Sequence, residues 1–314
     1  PIGAITKGFG GEGLTPMGSM LQAGAVAFSD DGRPVTSSEV MKVALEYAKH
    51  FGSFIISHCE DCSLCPNGVM HEGKVSAELG LRGWPAVAEE SIIARDVLLT
   101  EHVGSRLHVC HLSTAGSVEI VRLAKARGIN VTAEVPPHHL LLTDELARTY
   151  SPLYKVNPPL RTQADVEAVR EALADGTIDV VGTDHAPHPV EDKDCEWQAG
   201  AFGMTGLETA LSVVIETMVK TGKLDWRGVA RVMSQTPARI GRLEDQGGDI
   251  AVGQQANLAI IDPNVTRVVD GASQLTASDN TPYAGMELPG QVIATFLHGA
   301  PTVLGGVPVP VSER

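Results

Sequence analysis

Positive charge, aromatic side chains and an even set of cysteines are all missing or scarce in this sequence. Lys and Arg total 24 against 38 Asp and Glu, a net charge of −14, which disfavours a nucleic-acid binder that works by phosphate neutralisation. Aromatic residues make up only 4%. The five cysteines, Cys59, Cys62, Cys65, Cys110 and Cys195, are an odd number in a long chain, which reads as a reduced, cytoplasmic protein rather than a disulfide framework. No run of about 18 apolar residues occurs. The opening residues lack the charged segment followed by an apolar one that marks a secretion signal, so no membrane partner is expected. What the chain does have is 43% hydrophobic residues, with 33 Gly and 19 Pro. That composition supports a sizeable core joined by many tight turns.

Short apolar runs alternate with helical patterns along most of the chain. Strands are predicted near 2–6, 24–29, 53–57, 106–110, 129–135 and 178–182. Thr36 and Glu39 have capping-box spacing ahead of a helix ending at Gly52. Pro85 opens a second helix, Ser113 and Thr114 a third, and further helices are predicted over 164–174, 206–220 and on to about Leu243. Such alternation with apolar strands predicts a parallel sheet covered by helices. Six strands are visible where a closed (β/α)8 TIM barrel has eight. Beyond Gly247 the texture changes to turns and strands, with a hairpin around Gly299 and Ala300. The expected division is an incomplete barrel over residues 1–247 and, over 248–314, the C-terminal part of a small composite β-sandwich domain.

Asp31, His58, His111 and Asp184 each fall just past the C-terminal end of a predicted strand, which is the rim where barrel active sites form. Imidazole and carboxylate donors converging there suit a catalytic zinc site with a position left for water. Each residue also has a plainer reading. A lone His is commonly a hydrogen-bonded structural residue. Asp30 competes with Asp31 at the turn before Gly32, and Asp184 fits a helix cap. His138 and His139 follow two prolines, and adjacent residues on an extended segment point apart, so they read as structural. Cys59, Cys62 and Cys65 mimic the opening of an iron–sulfur or zinc motif but lack a fourth cysteine at matching spacing; they read as loop thiols near the rim.

The segments Phe28-Ser29-Asp30-Asp31-Gly32, Ser57-His58-Cys59-Glu60, His108-Val109-Cys110-His111-Leu112-Ser113-Thr114, Pro136-Pro137-His138-His139-Leu140, Asn157-Pro158-Pro159-Leu160-Arg161 and Gly182-Thr183-Asp184-His185-Ala186-Pro187-His188 together resemble dihydroorotase, a cyclic amidohydrolase. The likeness runs from the first strand to Asn280-Thr281-Pro282-Tyr283-Ala284-Gly285. No lysine stands in 25–32, where many relatives place a carboxylated lysine, so the resemblance is to the bacterial type I branch, which uses an aspartate. The resemblance implies a metal-dependent hydrolase barrel with Asp31, His58, His111 and Asp184 as ligands of one or two zinc ions. It makes Asp184 the general base and acid, and places Asn157, His188, Phe202 and Gly203 on the substrate. The reaction implied is reversible closure of N-carbamoyl-L-aspartate to L-dihydroorotate. Alternatives are a non-catalytic scaffold for aspartate transcarbamoylase, or another cyclic amidohydrolase such as an allantoinase or hydantoinase. Self-association, and aspartate transcarbamoylase as a partner, are expected on the same basis. Family members open with a strand bearing His-x-His and a nearby arginine. None is found here, so the chain is expected to be a truncated product lacking the first two barrel strands.

Overall fold

The computed structural model describes residues 1–310 and Ser312. Eight short strands lie in the first two thirds of the chain: β1 (Ile2–Gly3), β2 (Ala27–Phe28), β3 (Ile55–Ser57), β4 (Met70–His71), β5 (Gly83–Trp84), β6 (Leu107–Val109), β7 (Val131–Val135) and β8 (Val180–Val181). Six of them form one parallel sheet in the order β1-β2-β3-β6-β7-β8, with Ile55 opposite Leu107 and Leu107 opposite Val131. This is barrel-type architecture: each strand is followed by chain that crosses the outside and returns parallel. The other two strands form a separate parallel pair with a small core of Met70, Val75, Leu81 and Trp197. No strand is predicted from the sequence between 57 and 106, where this pair lies.

The helices are α1 (Met17–Gln22), α2 (Ser38–His50), α3 (Lys74–Leu79), α4 (Val87–Val103), α5 (Ala115–Ala126), α6 (Pro137–Leu141), α7 (Gln163–Asp175), α8 (Ala210–Val214), continuing as a π-helical turn over Ile215–Val219, α9 (Trp226–Ala230) and α10 (Thr236–Gly241). Among the described residues, no helix is long and apolar enough to cross a membrane. The cap of α2 is Ser37, whose side chain accepts from the Val40 N–H; Thr36 lies one residue too early. Thr114 caps α5 and Thr162 caps α7, the latter in a reciprocal pair with Asp165.

The strands are not apolar throughout. Leu107, Val109, Val131, Ala133 and Val135 are buried in the main core with the covering helices. On the opposite face, His108 meets Thr132 Oγ1 at 2.8 Å and Glu134 Oε2 at 3.1 Å. The period-2 alternation of a strand therefore survives, with polar groups lining the inner face.

Two carboxylates on the buried face of α4 tie the strand ends together. Asp96 accepts from Ser57 Oγ at 2.7 Å, immediately before His58. Glu89 accepts from the Ser113 N–H at 2.9 Å, the Ser113 hydroxyl and Ser117 Oγ at 2.7 Å, just after His111. The buried Arg161 joins the second knot, with Nε on Ser113 Oγ at 3.0 Å and Nη2 3.4 Å from Glu89. These bonds satisfy groups that would otherwise be buried unpaired.

The rest of the chain adds an antiparallel sheet of β9 (Leu258–Val268), β10 (Glu287–Leu297), β11 (Ala300–Leu304) and β12 (Val307–Pro308), in the order β12-β11-β10-β9. The β10–β11 turn uses His298 and Gly299 at φ 53° and 84°, the positive-φ pair of a tight hairpin. Val269, Tyr283 and Leu288 pack into the main core.

Candidate metal centre

β2, β3 and β6 are neighbours in the sheet, so residues just past their C-terminal ends face one another. Asp30 and Asp31 follow β2 and divide the work between them. Asp30 is buried and turned back onto the loop after β1, where its Oδ1 accepts from the Ile5 N–H at 2.7 Å and the Thr6 N–H at 3.0 Å, and its Oδ2 accepts from the Thr6 hydroxyl. Asp31 is left on the rim, its side chain 48% exposed, while both imidazoles beside it are buried.

Three donor atoms converge there. His58 Nδ1 lies 2.8 Å from His111 Nε2, and Asp31 Oδ1 lies 3.2 Å from His111 Nε2 and 3.3 Å from His58 Nδ1. Tetrahedral bonds of about 2.0 Å place ligand atoms about 3.3 Å apart, so two edges of this triangle match a zinc-sized ion and the third is somewhat short. Among the described residues this is the one cluster of three such side chains with all ligand atoms within 4.8 Å of one another. The free imidazole nitrogen of His58, Nε2, rests 3.1 Å from Glu60 Oε2, the outer carboxylate that fixes tautomer and ring angle in metal sites.

The electrostatics fit a cation. Burial opposes ionisation of Asp31, but its bonds to His111 and His58 hold the carboxyl far below the usual range. Burial alone would lower His111; its bond to Asp31 and the fields of Asp184, Asp31 and Glu134 instead push it up to about 9. Carboxylates thus surround an imidazole that carries a proton where a metal would serve as well.

Asp184 follows β8. Its carboxylate lies outside the three-donor triangle and makes no hydrogen bond to another described residue. Burial raises its pKa, His111 opposes that, and Asp31 and Glu134 add to it. Asp184 and His111 have φ of 47° and 32°, left-handed values uncommon for non-glycine residues. His185 does not reach back to orient Asp184 through Nδ1, which accepts from the Gly206 and Leu207 N–H groups at 3.1 and 3.3 Å.

The remaining expected residues lie on loops bonded to one another, a cradle that reaches the centre through Asn157 and Glu60. Asn157, ahead of a cis bond to Pro158, donates from Nδ2 to Glu60 Oε2 at 3.1 Å. His188 Nε2 meets the Phe202 carbonyl at 2.9 Å. Gly203 has φ +132°, and a Cβ there would lie 2.6 Å from Ala186 Cβ and 2.8 Å from His188 Nε2, so only glycine fits. Asn280 ties these loops from below, with Oδ1 accepting the His188 N–H at 3.2 Å and Nδ2 on the Ala186 carbonyl at 3.0 Å.

His138 and His139 differ from expectation. They lie on helix α6, not an extended segment, because Pro137 at the first helical position is compatible with a helix start. Their ring centroids are 4.6 Å apart, and both Nε2 atoms are buried without a partner among the described residues. The rim cysteines are all free. Cys62 and Cys65 donate to Glu60 Oε1 at 3.3 and 3.6 Å, and burial followed by that carboxylate raises them to about 11 and about 12. Glu60 is the residue the sequence reading passed over. Its only signal was its place in the His58-Cys59-Glu60 segment.

A family model described as dihydro-orotase-like matches residues 1–117. The dihydroorotase of Streptomyces coelicolor is 61% identical over 308 residues, covering 98% of this chain and 72% of that protein. The dihydroorotase of Mycobacterium tuberculosis is 52% identical over 309 residues, with coverage of 98% and 72%. Among solved structures, the L-hydantoinase (dihydropyrimidinase) of Arthrobacter aurescens superposes with a TM-score of 0.86 at 26% identity, over 98% of this chain and 70% of that one.

Proposed function

The chain belongs to the dihydroorotase family, and on that premise we propose that Asp31, His58, His111 and Asp184 hold the zinc on which the family's reaction depends. The chain is a cyclic amidohydrolase that interconverts N-carbamoyl-L-aspartate and L-dihydroorotate in pyrimidine synthesis. Two imidazoles and two carboxylates suit zinc better than magnesium or calcium, which prefer oxygen. One or two ions per subunit fit the proposal.

When bound, zinc polarises the ring amide carbonyl and brings the pKa of water to about 7. Asp184 takes the proton of the attacking water and delivers it to the ring nitrogen as the C–N bond breaks; in ring closure the same carboxylate removes that proton. Asn157, His188 and the backbone at Phe202 and Gly203 hold the ring and its carboxylate. Glu60 orients His58 and Asn157 together. Domains of residues 1–247 and 248–314, a cytoplasmic setting consistent with five free thiols, self-association and docking to aspartate transcarbamoylase complete the proposal; light scattering with and without that partner reads the last two.

One observation carries the enzymatic reading over a scaffold: donors from three separate strand ends meet within 2.8–3.3 Å, an arrangement a scaffold has no use for. Relatives 52–61% identical are dihydroorotases, which outweighs the 26% likeness to a hydantoinase. The test is zinc content together with dihydroorotate hydrolysis. Asp184→Asn is expected to retain some metal and lose turnover; near-normal turnover would remove Asp184 from its acid–base role. A wild-type protein that binds zinc and never hydrolyses dihydroorotate would favour the scaffold.

A further inference from the structure

Lys193 is a buried cation that neither the metal centre nor the cradle contacts above employ. It follows the short helical turn Val190–Asp192 in the segment after β8, and it is only 6% exposed. Its Nζ donates to three backbone carbonyls, those of Pro152 at 3.0 Å, Lys155 at 3.3 Å and Ala201 at 2.6 Å. An ammonium has three N–H donors, so all are spent on backbone and none on a carboxylate. Burial and then the charge of Lys155 lower its pKa to about 8, which leaves it charged at neutral pH. A buried cation without a counter-ion is a poor device for stability alone.

The three carbonyls come from the two sides of the cradle. Pro152 and Lys155 lead into Asn157, and Ala201 leads into Phe202 and Gly203. Other bonds repeat the link: the Gly203 N–H donates to the Lys155 carbonyl at 3.0 Å. Lys155 Nζ donates to the Gln198 carbonyl at 3.0 Å and lies 4.4 Å from the Phe202 ring centre. Lys193 Nζ hydrogen-bonds to both sides at once.

We propose that Lys193 is a positioning residue that sets the separation between Asn157 and the Phe202–Gly203 backbone, and through it the affinity for the acidic ring substrate. The proposal rests on the cradle assignment given under Proposed function. Misplacement by about 1 Å costs on the order of 100-fold, so Lys193→Met in the zinc-loaded protein is expected to raise the KM and calorimetric Kd for dihydroorotate by about 10–100-fold, with kcat and zinc content within about threefold. Unchanged KM and Kd with only a lower melting temperature, or a loss confined to kcat, would overturn it. Should that variant fold poorly, Lys193→Ala is measured with added ethylammonium. Recovery of KM by ethylammonium and not by ethanol supports the proposal; an equal response to both overturns it. A wild-type protein that binds zinc but no dihydroorotate would defeat the cradle assignment itself, and this inference with it.

Discussion

Asp30 and Asp31 are adjacent and chemically identical, yet the structure gives them separable roles, and separate losses should follow. Replacing Asp30 by alanine strands the Ile5 and Thr6 amides and the Thr6 hydroxyl, on residues 1% and 0% exposed. Hydrogen bonds to a charged acceptor are worth about 1.5–3 kcal/mol each and are not additive. A total of about 3–5 kcal/mol is expected for Asp30→Ala, allowing for water entering the gap. With about 2.1 cal/mol/K of unfolding entropy per residue, the 314 residues give a melting temperature lower by about 5–8 °C. Zinc affinity, measured by chelator competition at a temperature where the variant is folded, should stay within about threefold, because Asp30 touches no donor atom. Asp31→Asn should do the reverse. Its side chain is 48% exposed, so the melting temperature should move little. Zinc affinity should fall by more than the roughly 10–100-fold seen when an outer partner of a ligand is lost. Equal thermal losses in the two variants, or zinc bound normally by Asp31→Asn, would refute the division.

Three further outcomes are expected. Gly203→Ala should weaken dihydroorotate binding by at least about tenfold, since strained backbone costs about 1–3 kcal/mol and the added Cβ would lie 2.6 Å from Ala186 Cβ; normal binding would show that the Gly203 loop is free to relax. Glu60→Gln should reduce zinc affinity about 10–100-fold while raising KM, because one carboxylate oxygen serves both His58 and Asn157; a change in only one of the two would break the link. His71 is buried against Arg161 and lowered from 6.5 to about 4, so between those values the unfolded chain holds more protons. Stability should be full above 6.5 and fall as pH drops toward 4, with about 2 kcal/mol lost by pH 5. Denaturant titrations of wild type and His71→Gln at pH 7 and 5 check this, and an equal acid loss in both would exclude His71 as the source.

The rim residues were legible because a strand end is a local event. An apolar run stops, and within one to three residues a histidine or aspartate stands on the rim, as at Asp31, His58, His111 and Asp184. Their supporting residues leave no such mark. Lys193 acquires its role from carbonyls at 152, 155 and 201, and no window of sequence contains that set. Glu60 sits in plain view, but its partners at 58, 62, 65 and 157 assemble only in the fold. The misreading at His138 and His139 has a local cause. Consecutive prolines were taken as extended chain, although the second of a pair is free to occupy the first turn of a helix. Ser37 displaced Thr36 as a cap by one residue, the ordinary margin at helix ends.

Helix α4 lies on the outside of the barrel, yet it acts as a gauge for the centre within. Glu89 and Asp96 are seven residues apart on its buried face, about two turns or 10.5 Å along the axis. One grips the chain beyond β6 and the other the end of β3, so a rigid rod holds both histidine-bearing strand ends at a set distance. Loops on the rim are therefore open to remodelling toward other cyclic amides so long as that rod keeps its register. A single residue inserted between Glu89 and Asp96 would turn one grip about 100° away from the other and put the metal centre out of true without altering any of its ligands.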